Sequence, residues 1–153
     1  LGGGNGSDTL IGSEGADRLV GQRGRDLIDG GIDDDTLAGN ADADQLYGKR
    51  GDDRLIGGAG NDVLDGGWGV DILFGGNGAD AFVFRPGSDV DRIRDFENDA
   101  DWIDLRDLNL GSVQEAITNA WQHGNHVVID FDPGDRLIVD NITIQALADD
   151  IVI

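Results

Sequence analysis

The sequence contains no cysteine, no methionine and only two prolines among its 153 residues. Without cysteine, neither a disulfide framework nor a zinc site with thiolate ligands can form. Positive charge is scarce too, because 11 Lys and Arg residues stand against 31 Asp and Glu, which gives a formal net charge of −20. Nucleic acids and anionic membrane surfaces bind basic proteins, so this balance disfavours both partners and favours a bound cation.

Long apolar runs are also missing, and none approaches the roughly 20 residues that a membrane-spanning helix needs. The length suits one domain or one repeat array with a cap. The chain does not begin with Met and starts inside a repeat, so we expect it to be a piece of a longer protein. For that reason, the lack of an N-terminal signal peptide carries no information about export.

Glycine is abundant instead, and many of its 26 residues recur with a period of nine. Residues 57–83 read GGAGNDVLD GGWGVDILF GGNGADAFV. Each phrase has Gly at positions one, two and four, Asp at position six and a large apolar residue at position eight. A disordered Gly-rich linker does not keep an aliphatic residue in phase, so the pattern predicts a folded repeat array.

The phase holds through nine repeats, from residue 3 to residue 83. The first-position glycines are Gly3, Gly12, Gly21, Gly30, Gly39, Gly48, Gly57, Gly66 and Gly75. The sixth-position aspartates are Asp8, Asp17, Asp26, Asp35, Asp44, Asp53, Asp62, Asp71 and Asp80. The eighth-position residues are Leu10, Leu19, Ile28, Leu37, Leu46, Leu55, Leu64, Leu73 and Phe82. The fourth position is Gly except at Asp33 and Asp42.

This phrase predicts a turn over positions one to six and a short strand over positions six to nine. Glycine suits a turn in which several backbone units need a positive φ or a close approach to an ion. Because side chains alternate along a strand, the eighth-position apolar residue and the sixth-position Asp both point inward. Positions seven and nine then face outward, which suits Thr9, Arg18, Asp29, Gln45, Arg54 and Asp65.

Two repeats make one coil of strand, turn, strand and turn, and successive coils stack as parallel strands in two thin sheets. Burying one apolar side chain per repeat does not offset the entropy of ordering the whole phrase, and inward-facing aspartates repel each other. A divalent cation that takes six to eight oxygen ligands resolves both problems. These requirements favour Ca²⁺ over Mg²⁺, which keeps its waters, and over Zn²⁺, which prefers His or Cys.

The repeat resembles the nonapeptide G-G-x-G-x-D-x-U-x of the RTX (repeats-in-toxin, hemolysin-type) family, a known calcium-binding signature. The tail segments DAFVF at 80–84, DRIRDF at 91–96 and DWIDL at 101–105 resemble the C-terminal domain of serralysin-type secreted metalloproteases. The resemblance implies an all-β fold: a parallel β-roll (RTX solenoid) of about five coils over residues 1–84. Residues 85–153 would form a β-rich cap and secretion-signal region.

In that family, each ion lies between repeats n and n+2 on one edge of the roll. The earlier turn supplies its Asp and the carbonyls of positions two and four, and the later turn supplies its Asp and the carbonyls of positions one and three. One edge then pairs Asp8, Asp26, Asp44, Asp62 and Asp80 in succession, and the other edge pairs Asp17, Asp35, Asp53 and Asp71. The implied carbonyl ligands include Gly4, Gly6, Gly21, Arg23, Gly48, Arg50, Gly57, Gly58, Ala59, Gly60, Gly66, Trp68, Gly75 and Asn77.

The tail resemblance further implies that Asp89, Asp91 and Asp101 are ligands of an additional ion near the last coil. We therefore expect about five to eight Ca²⁺ ions in all. Asp33 and Asp42 replace a fourth-position Gly, so we expect weaker binding at the central pairs Asp35–Asp53 and Asp44–Asp62.

The pattern changes after residue 84, where repeat proteins need a cap with a different face. Strands are predicted at 81–84 and 90–105, and a helix is predicted at 112–122 with Ser112 as N-cap and Glu115 three residues later. HVVIDF and DRLIVD flank DPGD and predict a hairpin over 126–140. ALADD then leads into a final strand, IVI. The cap is therefore expected to be rich in β-strands and to contain one short helix, the one at 112–122.

Catalytic patterns are absent from the sequence. His123 and His126 are its only histidines, and no His-Glu-x-x-His motif is present. We therefore expect the fragment itself to be no enzyme. Trp68 and Phe74 occupy outward positions and mark either a docking patch or a surface covered by another part of the protein.

The resemblance implies a calcium-binding module of a secreted, extracellular bacterial protein. It would fold on extracellular calcium, stabilise an attached N-terminal domain and support export by the type I secretion apparatus. Residues 150–153, DIVI, are similar to the C-terminal motif of substrates of that apparatus. The alternative is a module that binds a polysaccharide or a cell surface, which an exposed basic or aromatic stripe on the roll would favour.

Overall fold

The nine repeats fold into strands of similar length. The computed structural model describes residues 1–131 and 134–153. The strands of the repeat region are β1 (Gly2–Asn5), β2 (Thr9–Glu14), β3 (Arg18–Arg23), β4 (Leu27–Ile32), β5 (Thr36–Ala41), β6 (Gln45–Arg50), β7 (Arg54–Ala59), β8 (Val63–Trp68), β9 (Ile72–Asn77) and β10 (Ala81–Val83).

These strands are longer than the sequence predicts. Each full strand runs from position seven of one repeat to position three of the next, so the turn is confined to positions four to six. The strand continues through a residue with positive φ at position two, such as Lys49 with φ 83°. This residue bends the strand without ending its pairing, because Lys49 remains in register with Gly31 and Gly67.

Odd-numbered and even-numbered strands enter two different sheets, as predicted for a coil of two repeats. The first sheet has the order β1-β3-β5-β7-β9, and the second has the order β10-β8-β6-β4-β2. All neighbours are parallel, and the register sets each residue opposite the one two repeats later, as in Leu19 with Leu37. The eighth-position side chains point inward from both sheets and form a continuous apolar ladder.

The two sheets continue across residue 84 into the cap. In the first sheet, β11 (Val90–Ile93) pairs with β9, and β15 (Arg136–Asp140) pairs with β11, both in parallel. In the second sheet, β12 (Trp102–Asp104) pairs with β10, and β16 (Ile151–Val152) pairs with β12. The predicted final strand is therefore confirmed, and the solenoid extends beyond its nine repeats.

The cap contains the predicted hairpin and a shorter helix than predicted. β14 (His126–Asp130) pairs antiparallel with β15, and residues 132–133 of the connecting DPGD segment lie outside the described residues. Helix α1 (Val113–Thr118) begins at Ser112, whose Oγ accepts the Glu115 amide at 3.1 Å. The helix ends before Trp121, because β13 (Ala120–His123) pairs with β14 instead.

The remaining cap elements are one further helical turn, α2 (Ile144–Leu147), and two 3₁₀ turns, Arg106–Leu108 and Ala148–Asp150. The apolar ladder of the roll runs into the cap core, where Phe82 contacts Phe96 and Phe84 contacts Phe131. Within residues 1–131 and 134–153, no helix has the length and apolar character needed to cross a membrane.

Candidate metal centre

Two rows of aspartates run along the edges of the roll, where each strand begins. Asp26, Asp35, Asp44, Asp53, Asp62, Asp71 and Asp80 are each no more than 3% exposed. Asp8 and Asp17, in the first coil, are half-buried. Burial of a carboxylate is costly unless it is paired or coordinates a cation. Within the described part of the chain, none of these nine aspartates forms an ion pair with Lys, Arg or His.

One oxygen of each row aspartate from Asp26 to Asp80 accepts a backbone amide of the preceding coil. The Asp8 amide donates to Asp26 Oδ1 at 2.8 Å, and the Asp17 amide donates to Asp35 Oδ1 at 2.7 Å. The same contact recurs 18 residues apart along both rows, up to Asp80. Repeats n and n+2 therefore stack with their aspartates in register, as the sequence predicts.

The second carboxylate oxygen of these residues has no hydrogen-bond partner. The buried, unpaired atoms are Oδ2 of Asp8, Asp26, Asp35, Asp44, Asp53, Asp62, Asp71, Asp80 and Asp91. An unsatisfied buried acceptor costs about 1–3 kcal/mol, and a charged one costs more. Their periodic repetition in a chain of net charge −20 favours a bound cation as the missing partner.

The first-position glycines form the cradle around these free oxygens. A Cβ built on Gly39 would overlap Asp44 Oδ2 and lie 2.8 Å from the carbonyl oxygen of Gly57, one coil later. Gly21 has the same relation to Asp26 and Gly39. The free carboxylate oxygen and a backbone carbonyl thus approach the same point, which only glycine leaves open. Clustered carboxylate and carbonyl oxygens are the ligand set that Ca²⁺ prefers.

The carbonyls of positions two and four also point toward the next coil. A Cβ on Gly31 would overlap the Ser13 carbonyl, and a Cβ on Gly24 would overlap the Gly6 carbonyl. These are the earlier-turn carbonyls that the family resemblance implies. The later-turn carbonyls at position three accept backbone amides in several coils, for example Arg23 from Gly6 at 2.8 Å. A carbonyl has a second lone pair, so this bond leaves it able to ligate a cation.

Asp33 and Asp42 adopt the conformation of the glycines they replace. Their φ angles are 81° and 76°. Each carboxylate accepts the amide of the fourth-position Gly one coil earlier, Gly15 for Asp33 and Gly24 for Asp42, at 3.0 Å. This left-handed conformation carries a steric cost for Asp, and the exposed hydrogen bonds partly compensate for it.

Both rows extend into the cap with a changed spacing. The Asp71 amide donates to Asp91 Oδ1 at 3.1 Å, 20 residues later. The Asp80 amide donates to Asp101 Oδ1 at 2.9 Å, 21 residues later. Asp91 lies within β11 and Asp101 directly precedes β12, so they belong to different sheets and to different rows rather than to one shared site. Asp89 is exposed, and its amide is bound by Asp135.

Two carboxylates of the cap that the sequence did not predict accept backbone amides, one from the last repeat and the other from the cap itself. Asp95 accepts the amides of Gly75 and Gly76, at 2.9 and 3.2 Å. Asp135 accepts the amides of Gly87 and Asp89, although it is 48 residues away from Gly87. The only sequence signal for Asp95 was its place in the family-like segment DRIRDF, and Asp135 carried none.

From Asp44 to Asp80, the row aspartates have strongly raised pKa values in the absence of a cation. Burial raises the pKa of Asp53 and Asp62 to about 7; the amide hydrogen bond from the preceding coil opposes this effect, and the neighbouring row aspartates add to it. Burial, followed by the charge of Asp71, also raises the pKa of Asp91. A divalent cation would remove this penalty by stabilising the ionised form.

Within residues 1–131 and 134–153, no group of three or more His, Cys, Asp or Glu side chains is arranged to hold a metal. A site with two aspartate ligands therefore needs backbone carbonyl oxygens as its remaining ligands. The histidines lie away from the rows, and His126 Nδ1 lies 2.8 Å from Asp140, which also binds Arg92 and Arg94. Trp68 is 55% exposed, whereas Phe74 is half-buried with the Arg54 guanidinium 4.2 Å from its ring centre.

Comparison with known proteins agrees with this geometry. The model of the RTX calcium-binding nonapeptide repeat matches four times, at residues 2–37, 23–54, 38–73 and 47–82. Together these matches span more than half of the 153 residues. No curated protein matches the chain significantly.

Two solved structures are similar to the fold. The AlgE6R3 subunit of the Azotobacter vinelandii mannuronan C5-epimerase has a TM-score of 0.62 and 33% identity, covering 79% of this chain and 78% of that one. The extracellular lipase LipA from Serratia marcescens has a TM-score of 0.61 and 18% identity, covering 97% of this chain. The present chain spans 38% of the lipase chain, and that likeness shows the fold alone.

Proposed function

Because the chain belongs to the RTX family of calcium-binding nonapeptide repeats, we propose that calcium drives its folding and that each stacked pair of row aspartates holds one ion. The observation that carries this proposal is the series of buried Oδ2 atoms with no partner. Each pair would contribute these free oxygens together with carbonyls of positions one to four. Asp71 with Asp91 and Asp80 with Asp101 would extend the two rows by one site each.

Calcium supplies the positive charge that the stacked carboxylates lack. Without it, the roll must bury rows of like charges around a core only one apolar side chain deep per repeat, and the unfolded chain is favoured. Extracellular calcium modules bind with dissociation constants of roughly 10⁻⁴–10⁻³ M. A module in this range stays unfolded in a cell interior and folds outside it, which fits a secreted protein.

Circular dichroism during a calcium titration tests this proposal. In excess chelator, we expect the spectrum of an unfolded chain, and added calcium should produce a β spectrum in one cooperative step. Magnesium at the same concentrations is the matched control and should not produce it. A native β spectrum in excess chelator would contradict the proposal.

The wider protein would use this module at its C-terminal side. We propose that the folded roll stabilises an attached N-terminal domain, which would carry any catalytic activity, and that Asp150–Ile153 take part in type I secretion. Ile151 and Val152 also form β16 on the cap, so these residues have a structural contact as well.

Deletion of residues 150–153 tests the secretion role separately from the calcium role. In a strain with the matching transporter, the deletion should retain the full-length protein in the cytoplasm. Calcium-dependent folding of the purified variant, followed by circular dichroism, should persist. Unchanged extracellular yield would show that these residues serve only as a strand of the cap.

A further inference from the structure

The C-terminal residues are held on the edge of the second sheet by few contacts. Strand β16 pairs with β12 at two positions, Ile151 opposite Ile103 and Val152 opposite Asp104. The Leu105 amide donates to the Val152 carbonyl at 2.8 Å. Ile151 is 7% exposed and lies in the apolar core, whereas Val152 is 41% exposed. Such a short edge strand opens easily, so its docking depends on the strand with which it pairs.

Strand β12 is in turn held on the roll at the end of an aspartate row. Asp80 directly precedes β10, and Asp101 directly precedes β12. The Asp80 amide donates to Asp101 Oδ1 at 2.9 Å, and the Trp102 amide donates to the Asp80 carbonyl at 2.9 Å. Three residue pairs connect the two strands. The contact between Asp80 and Asp101 therefore helps to set the position of β12, and β12 is the strand on which β16 docks.

Negative charge is concentrated at this end of the row. Asp80 is fully buried, and its Oδ2 has no partner. A Cβ on Gly75 would overlap that oxygen, and the Gly75 amide donates to Asp95, so both carboxylates approach the same glycine. Asp101 Oδ2 accepts the amide of Glu97 at 2.8 Å. Within residues 1–131 and 134–153, none of these four acidic side chains forms an ion pair with Lys, Arg or His.

These carboxylates repel each other when no cation is bound. Burial raises the pKa of Asp80 to about 6, although the amide of Asp62 opposes this effect. The charges of Asp101, Asp95 and Glu97 raise it further. Separation of β12 from β10 relieves this repulsion, and a bound divalent cation removes the cause of it. The attachment of β12 is therefore expected to depend on calcium more strongly than its few backbone hydrogen bonds suggest.

The aspartate row of the first sheet ends at a different part of the cap. The Asp71 amide donates to Asp91 Oδ1, and β11, which contains Asp91, pairs with β9 and β15. In the part of the chain that the structure describes, β16 pairs with β12 alone. The first-sheet row therefore supports the hairpin of β14 and β15, and the second-sheet row supports the C-terminal strand.

We propose that calcium bound at the end of the second-sheet row, at Asp80 and Asp101, controls whether residues 150–153 are docked or exposed. With calcium bound, β12 stays on β10 and β16 stays on β12. Without it, the C-terminal residues are released as an accessible segment. The Asp99 amide donates to Asp150 Oδ2 at 3.3 Å, which links the loop before Asp101 to this segment a second time. The inference rests on the proposed calcium binding but not on the proposed role in secretion.

Asp80→Asn and Asp71→Asn form a matched pair of variants. Each aspartate is the last one of the nine repeats in its row, with Oδ1 bound to the amide of the preceding coil and Oδ2 without a partner. Each substitution therefore keeps the hydrogen-bond acceptor and removes one negative charge. All measurements use a calcium concentration at which the β spectrum in circular dichroism has saturated for the parent chain and for both variants.

Two measurements report the release of the C-terminal strand. Carboxypeptidase Y, a serine peptidase that needs no metal, removes the last residues, and mass spectrometry follows their loss. Hydrogen exchange of the Leu105 amide, recorded by NMR, reports its bond to Val152. Both rates follow the population of the open state, so Asp80→Asn should raise them at least about tenfold. Asp71→Asn should leave both rates within about twofold and should instead speed exchange of the Arg136 amide, which donates to the Asp89 carbonyl.

Rates that are equal in Asp80→Asn and the parent chain would overturn the proposal, and so would equal acceleration by Asp80→Asn and Asp71→Asn. If Asp80→Asn does not reach a β spectrum, Asp101→Asn replaces it with Asp91→Asn as its control, because both of these residues lie outside the nine repeats. The parent chain separates this inference from calcium-dependent folding. A chain that folds with calcium but loses its C-terminal residues equally fast in calcium and in chelator refutes the control of docking alone, whereas a β spectrum in excess chelator refutes calcium-dependent folding.

Discussion

The carboxylate of Asp71 divides its two oxygens between two tasks. Oδ1 accepts the amide of Asp53 at 2.8 Å and fixes the register of neighbouring coils. Oδ2 remains buried without a partner beside Gly66, which has no side chain to fill the space. The same residue therefore provides a structural contact and half of a cation site. A neutral side chain of the same shape could therefore keep the hydrogen bond between coils but could not supply the charge of the cation site.

Asp62→Asn tests that separation. The Asn oxygen can still accept the Asp44 amide, and its NH₂ group can donate toward the Gly75 carbonyl. The free energy of unfolding of the calcium-free roll should therefore increase by about 1–3 kcal/mol. The calcium midpoint of folding should rise at least about tenfold, because one charged ligand is lost. Circular dichroism in chelator, with an osmolyte added to populate the calcium-free roll, measures the first effect, and a calcium titration measures the second.

Asp149→Asn is the control for this variant, because Asp149 is exposed and lies outside both rows. It changes the net charge by the same amount and should leave both measurements unchanged. A loss of stability in chelator for Asp62→Asn would show that the buried charge is not the main cost of the calcium-free roll.

Gly39→Ala tests the cradle around the free oxygens. Gly39 has an ordinary φ, but its Cβ would overlap Asp44 Oδ2 and crowd the Gly57 carbonyl. We expect the free energy of unfolding of the calcium-loaded protein to fall by about 1–3 kcal/mol, as for other overpacked sites. Thermal unfolding in saturating calcium provides the measurement.

Gly15→Ala is the matched comparison. Gly15 has a φ of +98° and open space around its Cβ position, so Ala there meets only backbone strain of about 1 kcal/mol. If Gly39→Ala is no more harmful than Gly15→Ala, the first-position glycine is not reserved for ion binding.

The nonapeptide phase accounted for most of the roll but not for its end. The alternation of Asp and Leu predicts inward side chains, the parallel stacking and the pairing of Asp26 with Asp44, because these depend on local phase. The spacings of 20 and 21 residues at Asp91 and Asp101 follow from cap segments that no repeat encodes. The role of Asp135 could not be predicted from the sequence either, since its contact with Gly87 depends on tertiary folding.

The predicted end of the cap helix was wrong for a related reason. The spacing of Ile117 and Trp121 suits a helix, and Ser112 caps it as predicted. Trp121 nevertheless lies in β13, because pairing with β14 satisfies the backbone amides at that position. Tertiary pairing overrode a local pattern that contained no breaker residue.

The central sites of the roll are expected to be weaker than the terminal ones. Asp33→Gly should relieve left-handed strain of about 1 kcal/mol and remove an extra carboxylate near the pair Asp35–Asp53. Asp42→Gly should do the same near Asp44–Asp62. The double variant should bind its weakest calcium ions more tightly, as isothermal titration calorimetry would show. Equal or weaker affinity would mean that Asp replaces Gly without penalty at the fourth position.

Acid should partly replace calcium in holding the roll together. The folded-state pKa of Asp53 and Asp62 is about 7, well above that of an unfolded aspartate. The folded state therefore takes up protons more readily, and its stability is lost as pH rises through that window and regained as pH falls. In excess chelator, lowering the pH from about 8 to about 5 should increase β structure in circular dichroism. No change, or further unfolding, would contradict these raised pKa values.

A crystal structure grown in calcium, with anomalous diffraction recorded to locate the ions, tests the central claim most directly. The account predicts peaks along both edges of the roll, each bound by the Oδ2 atoms of two row aspartates such as Asp53 and Asp71, together with backbone carbonyls of the intervening turns. Peaks restricted to exposed aspartates, with Oδ2 of the row residues still without a ligand, would contradict it.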